Sequence, residues 1–171
     1  HNDARRQRQM CIRDRIMAEL VFVTGLSHAP GLTGWLDRAP QKEQQSLTEG
    51  FNLLGKKLRA AKPDLIIGLA NDHVLNMPVD NQHDFCVGIS DTWSGPAEWF
   101  QDWVNIGTYQ VDGNAQVAGV LLNQLSTQGF DIVSKVELLF DDNWSVPLKY
   151  LTPDYDIPLV PIHMNCIVPP V

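Results

Sequence analysis

The run Leu65-Ile-Ile-Gly-Leu-Ala-Asn-Asp-His73 constrains this chain most. An apolar stretch with strand character stops abruptly at a polar triplet, so an imidazole is expected where a buried strand leaves its sheet. Leu20-Val-Phe-Val-Thr-Gly-Leu-Ser-His-Ala-Pro30 is built the same way: strand-like residues lead to His28, and Pro30 with Gly31 ends regular structure. Taken singly, a histidine in such a place more often bonds a nearby backbone carbonyl. Two of them at two strand exits point to a shared site.

The intervening residues predict how the two come together. Leu47, Phe51, Leu54, Leu58 and Ala61 recur at three- and four-residue steps, giving a helix over Gln41–Ala61 that Pro63 cannot continue. Lys56, Lys57 and Arg59 in its last turns suit the negative end of the helix dipole. Asp64 to Ala70 reads as a central strand covered on both faces, because nearly every residue is apolar. Strand, helix and strand form a βαβ unit, whose right-handed crossover brings both strand exits to one sheet edge. His28 and His73, 45 positions apart, are thereby expected to be neighbours where open α/β sheets bind ligands.

The chain has 171 residues, 44% of them hydrophobic, enough for one compact domain with its own core. No apolar run approaches the roughly 20 residues that span a bilayer, and the expected location is cytoplasmic. Cys11, Cys86 and Cys166 are odd in number and widely spaced, which favours reduced thiols over disulfides. A formal charge of −7 argues against nucleic acid as a partner. Residues 1–16 stand apart: five arginines and two aspartates make them locally basic. They read as an extraneous or disordered leader, or as translated adapter sequence, with the domain proper over residues 17–171.

Further along, Phe85–Ile89 reads as a short strand and His83 as a loop residue. Ser90 to Tyr109 concentrates Trp93, Trp99, Phe100, Trp103 and Tyr109, which either wall a pocket for a flat substrate or pin a long loop to the core. Asn114 to Gln128 is a second helix, capped by Asp112 or Asn114. Phe130 to Phe140 is expected to be a strand closing on Asp141-Asp142-Asn143-Trp144. A short helix follows from Ser145 to Leu151 with Pro147 in its first turn, and then a strand over Ile157–Ile162 leading to His163. Paired aspartates at that point either hold a metal, share a proton or serve as turn and cap residues. The expected class is α/β, a mixed or mostly parallel sheet flanked by helices and incomplete at the C-terminus.

Ser27-His28-Ala29-Pro30, Asn71-Asp72-His73, Ser145-Val146-Pro147-Leu148 and Val160-Pro161-Ile162-His163-Met164-Asn165 occur in the order found in the class III extradiol ring-cleavage dioxygenases. From Leu20 to about Pro170 the chain resembles that family, and in particular catalytic subunits of the protocatechuate 4,5-dioxygenase type. The resemblance implies a non-haem Fe(II) held by His28, His73 and a later glutamate, with open positions for a catechol-type diol and O₂. It also implies that Asn71, Asp72, Asp142 and Asn143 bind substrate or support the metal ligands.

Two departures from the family pattern follow. Relatives carry Asp-His-Gly before the Val-Pro-Leu motif, whereas alignment on Val146-Pro147-Leu148 puts Asp142 and Asn143 at the last two of those positions. An ionised carboxylate only accepts hydrogen bonds where an imidazole can donate, so a changed, aminophenol-like substrate is one expectation. The family's acid/base histidine and its glutamate ligand are both expected beyond Val171. The chain is therefore read as the N-terminal part of a catalytic domain, with little or no ring cleavage by itself. Among the carboxylates present, Glu49, Asp72 and Asp142 are the ones that could complete a metal set. Other readings are a non-catalytic binding protein of the same fold and a zinc-dependent hydrolase using His28, His73 and Asp142. A small accessory subunit or a homo-oligomer is the protein partner the resemblance allows.

Overall fold

The computed structural model describes residues 18–81 and 83–167; the basic leader expected over residues 1–16 and Cys11 lie outside them. Six strands and five α-helices lie among the described residues. In order they are α1 (Gly31–Gly34), α2 (Gln41–Ala61), β1 (Ile66–Asp72), β2 (Phe85–Gly88), β3 (Thr92–Gly95), α3 (Gln101–Val104), β4 (Tyr109–Asp112), α4 (Ala115–Thr127), β5 (Ile132–Lys135), α5 (Asp142–Leu151) and β6 (Leu159–Asn165). Four strands form a sheet in the order β1-β6-β2-β5, with β1 parallel to β6, β2 parallel to β5 and β2 antiparallel to β6. This is the mixed, helix-flanked α/β sheet that the hydrophobic pattern predicts. Strands β3 and β4 make a separate antiparallel pair.

The strand covered on both faces is β6. Its residues Leu159 to His163 are all buried. Val160 and Ile162 pack on one face with Val87 and Ala118, while Leu159 belongs to a larger cluster on the other with Phe140, Trp144 and Val146. Pro161 has no N–H to give, and the β2–β6 ladder ends one residue away at Val87↔Ile162. The run chosen from sequence as the central strand, Asp64 to Ala70, is instead β1, an edge strand of the described sheet with Ile67 and Leu69 exposed. Its buried side is narrow. Gly68 faces the indole of Trp144 so closely that an added Cβ would lie 2.4 Å from Cζ3.

Three other expectations are corrected. Leu20 to Gly25 forms no strand: residues 18–29 carry no regular structure, and Leu20 and Val23 are 82% and 74% exposed. Strand-like composition reports a preference for a pleated, half-buried surface, and no neighbouring ladder among the described residues satisfies it. The strand expected over Phe130–Phe140 is limited to Ile132–Lys135, since its partner β2 ends at Gly88, paired with Lys135. Helix α5 begins at Asp142, three residues early, because the Asp141 side chain accepts from the Asn143 amide. Pro147 thus lies inside the helix and not in its first turn.

Other elements follow the sequence closely. The helix over Gln41–Ala61 has the expected bounds, and Asn114 caps α4 by accepting from the Val117 amide at 2.9 Å. The aromatic stretch mainly pins itself down: Trp93 and Phe100 are buried, and the Trp93 indole donates to the Leu159 carbonyl at 3.1 Å. Cys86 and Cys166 are free thiols, and burial pushes that of Cys86 up to about 11. No described helix is long and apolar enough to cross a membrane.

The glycines supply a contrast that checks the packing. Gly68→Ala must displace Trp144 and is expected to lower stability by about 1–3 kcal/mol. Gly119→Ala, in α4 where the new methyl meets nothing, is expected to raise it by about 0.5–1 kcal/mol. Urea denaturation of the two variants measures both.

Candidate metal centre

Helix α5 and the loop after β1 build the site together. Asp72 ends β1 buried, and its carboxylate accepts from the amides of Asn76 at 3.0 Å and Met77 at 2.8 Å, folding residues 73–77 back over the strand end. Asn76 then clamps this loop to the segment before α5. Its Nδ2 donates to the Leu139 carbonyl at 3.0 Å and its Oδ1 accepts from the Leu139 amide at 2.8 Å. Val74, directly after His73, adopts φ 62°, a left-handed conformation that is costly for a β-branched residue and is held by these contacts.

The clamp sets His73 against the start of α5. Its Nδ1 lies 2.9 Å from Asp141 Oδ2 and 3.3 Å from Asp142 Oδ1, and the three side chains form a group with metal-ligand spacing. Hydrogen bonds from His73 to Asp141 and Asp142 outweigh partial burial and raise the imidazole to about 10. In the metal-free chain, while the carboxylates stay ionised, this interaction therefore contributes stability in full below pH 6.5 and loses it as pH rises through about 10. Burial works against ionisation of Asp142, but the His73 hydrogen bond and the charges of His73 and His28 hold its pKa below the usual carboxylate value.

His28 reaches the same place from the other side. The turn after it enters α1, and the Tyr150 hydroxyl of α5 donates to the Leu32 carbonyl, tying that turn to the same helix. The His28 and His73 rings are 5.3 Å apart between centroids. The nearness expected from a βαβ crossover is present, although the first strand of that unit is not.

The remaining residues singled out from sequence fall into separate roles. Asn143 is buried and donates from Nδ2 to the Asn71 carbonyl at 3.0 Å, bracing the end of β1. Asn71 contributes that carbonyl from an exposed position. Asp72 faces away from His73, toward His163: Oδ1 is 3.2 Å from His163 Nδ1, and the Trp144 indole donates to His163 Nε2 at 2.9 Å. Burial pushes Asp72 up, yet donation from His163, Met77 and Asn76 holds it at about 2. Glu49 is not brought to the site and accepts from Gln45 on the exposed side of α2. His83 pairs with Asp131 at 2.9 Å elsewhere. Of the residues that build the site, sequence reasoning left Asp141 open among metal, shared-proton and cap roles and gave Asn76 none. Paired aspartates ahead of a helix hint at the first, whereas the second depends on a contact 63 positions away.

Residues 23–171 match the family described as the catalytic LigB subunit of aromatic ring-opening dioxygenase. The chain belongs to this family. It is 28% identical over 147 residues to a 2,3-dihydroxyphenylpropionate/2,3-dihydroxicinnamic acid 1,2-dioxygenase of Pseudomonas putida, covering 85% of this chain and 44% of that protein. A relative of the same name from Photorhabdus laumondii is 27% identical over 84% of the chain and 43% of its own length, and one from Escherichia coli is 24% identical over 85% and 44%. The chain thus spans less than half the length of these curated relatives.

Membership in this ring-opening dioxygenase family implies a metal cofactor, and the donor set fits one. With metal–nitrogen bonds of about 2.1 Å, two imidazoles at neighbouring positions on one cation have centroids roughly 4.5–5.5 Å apart, which brackets the His28–His73 spacing. Buried carboxylates beside them supply the negative charge that a divalent cation balances.

The Asn76 clamp is what sets this geometry. Asn76→Ala leaves the Leu139 amide and carbonyl unpaired and removes the Nδ2 group that donates to Asp72 Oδ1 at 3.0 Å, while the backbone amide bond to Asp72 stays; a buried unmade hydrogen bond costs about 1–3 kcal/mol. The expected result is a loss of at least about 2 kcal/mol in denaturant unfolding, together with weaker divalent-metal binding.

Proposed function

We propose that this chain forms the metal-holding part of an Fe(II)-dependent extradiol dioxygenase that opens the ring of a catechol-type or aminophenol-type substrate with O₂. The observation that carries the reading is the convergence of His28 and His73, 45 positions apart in sequence, at the exit of β1 with ring centroids 5.3 Å apart. Family membership and the names of the relatives support the same chemistry. Their substrates, dihydroxylated phenylpropionate and cinnamate, define the class of planar diol to try first.

His28 and His73 are the residues that would hold the metal. Fe(II) held there would supply open coordination positions and redox chemistry for a diol and O₂. The protein's part is placement. Asn76 and Asp72 fix the loop that carries His73, and Tyr150 fixes the turn that carries His28. Asp142, kept ionised beside two imidazoles, is an acceptor only. It receives a hydrogen bond from an amino or hydroxyl group of the substrate at the position where relatives place a histidine donor.

Anaerobic titration tests the metal assignment: one Fe(II) per chain is expected, with binding lost in His28→Ala and in His73→Ala. Retention of zinc with no response to iron, accompanied by ester hydrolysis, would instead establish a hydrolase. Oxygen consumption matched mole for mole by loss of diol tests ring opening in an iron-loaded, full-length protein that contains this chain, with little or none expected of the chain alone, and the substitution that follows is assayed in that full-length protein. Asp142→His is expected to shift the ratio of turnover from 2-aminophenols toward catechols; an unchanged ratio removes Asp142 from substrate selection.

A further inference from the structure

We propose that Asp141 is the positioning residue of the metal centre: it holds His73 with Nδ1 protonated, so that Nε2 is the nitrogen turned to the cation. This rests on the reading of His28 and His73 as metal ligands. The two oxygens of Asp141 have separate duties. Oδ1 accepts from the Asn143 amide at 2.8 Å and caps α5, while Oδ2 lies 2.9 Å from His73 Nδ1. Because the cap fixes one oxygen, the second cannot swing away from the imidazole without uncapping the helix.

The surroundings remove the remaining freedom. Asp141 is 3% exposed, follows the fully buried Phe140, and its own carbonyl accepts from the Ser145 amide. Two residues earlier, Asn76 grips both backbone groups of Leu139. His73 Nδ1 therefore faces a rigid acceptor at 2.9 Å and a second, Asp142 Oδ1, at 3.3 Å. Between acceptors the nitrogen must carry its proton, and a neutral ring then has its lone pair on Nε2. A ligating histidine commonly passes its other N–H to a carboxylate in this way, and losing that partner weakens metal binding by about 10- to 100-fold. The shorter distance assigns the task to Asp141 and leaves Asp142 for substrate.

Asp141→Asn separates positioning from capping. Asparagine caps a helix about as well as aspartate, but with Oδ1 on the Asn143 amide it presents an NH₂ group to His73 Nδ1. Two donors cannot face each other, so the ring proton moves to Nε2, the nitrogen the metal needs. With Zn(II) as the probe, calorimetry is expected to show binding about 10- to 100-fold weaker in Asp141→Asn, with an unchanged far-ultraviolet dichroism spectrum. Asp141→Ser, which also caps but cannot reach the imidazole, serves as a second variant and is expected to weaken Zn(II) binding too. Nitrogen-15 spectra of histidine-labelled, Zn(II)-loaded wild type should show His73 with Nδ1 protonated and Nε2 on the metal. Metal on Nδ1, or variants that bind Zn(II) as tightly as wild type because Asp142 takes over, would overturn the inference while leaving the metal site standing. No Zn(II) binding by wild type would overturn both.

Discussion

The first turn of α5 is the constraint on which the site depends. A helix start leaves amide groups without intrahelical partners, and here Asp141 meets that need with one carboxylate oxygen while the other faces His73. The same helix reaches the rest of the centre through its side chains. Asn143 braces the Asn71 carbonyl, Trp144 packs on Gly68 and donates to His163, and Tyr150 ties down the turn after His28. Capping, core packing and placement of two imidazoles are thus consequences of one element's position. Disturbing it would disturb all three together.

Beneath the site lies a polar network that only makes sense as scaffolding. His163 is fully buried between Asp72 and Trp144. Accepting from the indole at Nε2 requires that Nδ1 carry the proton and donate to Asp72, so the ring is neutral and its tautomer set by its neighbours. Asp72, with backbone amides on its other lone pairs, has its charge balanced by donors of the protein itself. Such a network is costly if any member is missing, which makes the end of β1 rigid where His73 must be held. Asp72 and His73 are adjacent in sequence yet do different work: one anchors the strand end from below and the other projects above it.

What could be read from the sequence divides along the range of the interactions involved. Helices Gln41–Ala61 and Ala115–Thr127 were legible because periodicity and caps are local. The pairing of His28 with His73 was legible too, partly for a reason that the structure does not retain: the first strand of the supposed βαβ unit is absent, and Tyr150 and α5 secure the turn after His28 instead. Which strand is central could not be read, since Leu65–Ala70 and Leu159–Ile162 are both apolar and only the ladder order separates them. Asn76 was invisible for the same reason, as its significance lies in the backbone of Leu139. Asp141 was visible as one of a pair, but the cap that gives its second oxygen a direction is a structural fact.

Charge gives Asp142 its meaning. Where the family pattern has a histidine, this chain has a buried carboxylate held in its ionised form by His73 and His28. Next to Asp141, it places two acceptors at one imidazole within 3.3 Å. Around a divalent cation held by neutral imidazoles, Asp142 would add one negative charge that a neutral histidine at the same position does not bring. A diol that binds by shedding protons would lose from that added charge, because like charges in a low-dielectric site repel strongly. An aminophenol brings an N–H donor and less negative charge, so it suits an acceptor in that position better than a donor. In the proposed dioxygenase, the exchange of one side chain at the start of α5 would thereby move both the hydrogen-bonding sense and the electrostatics of the site in the same direction, toward a substrate that donates.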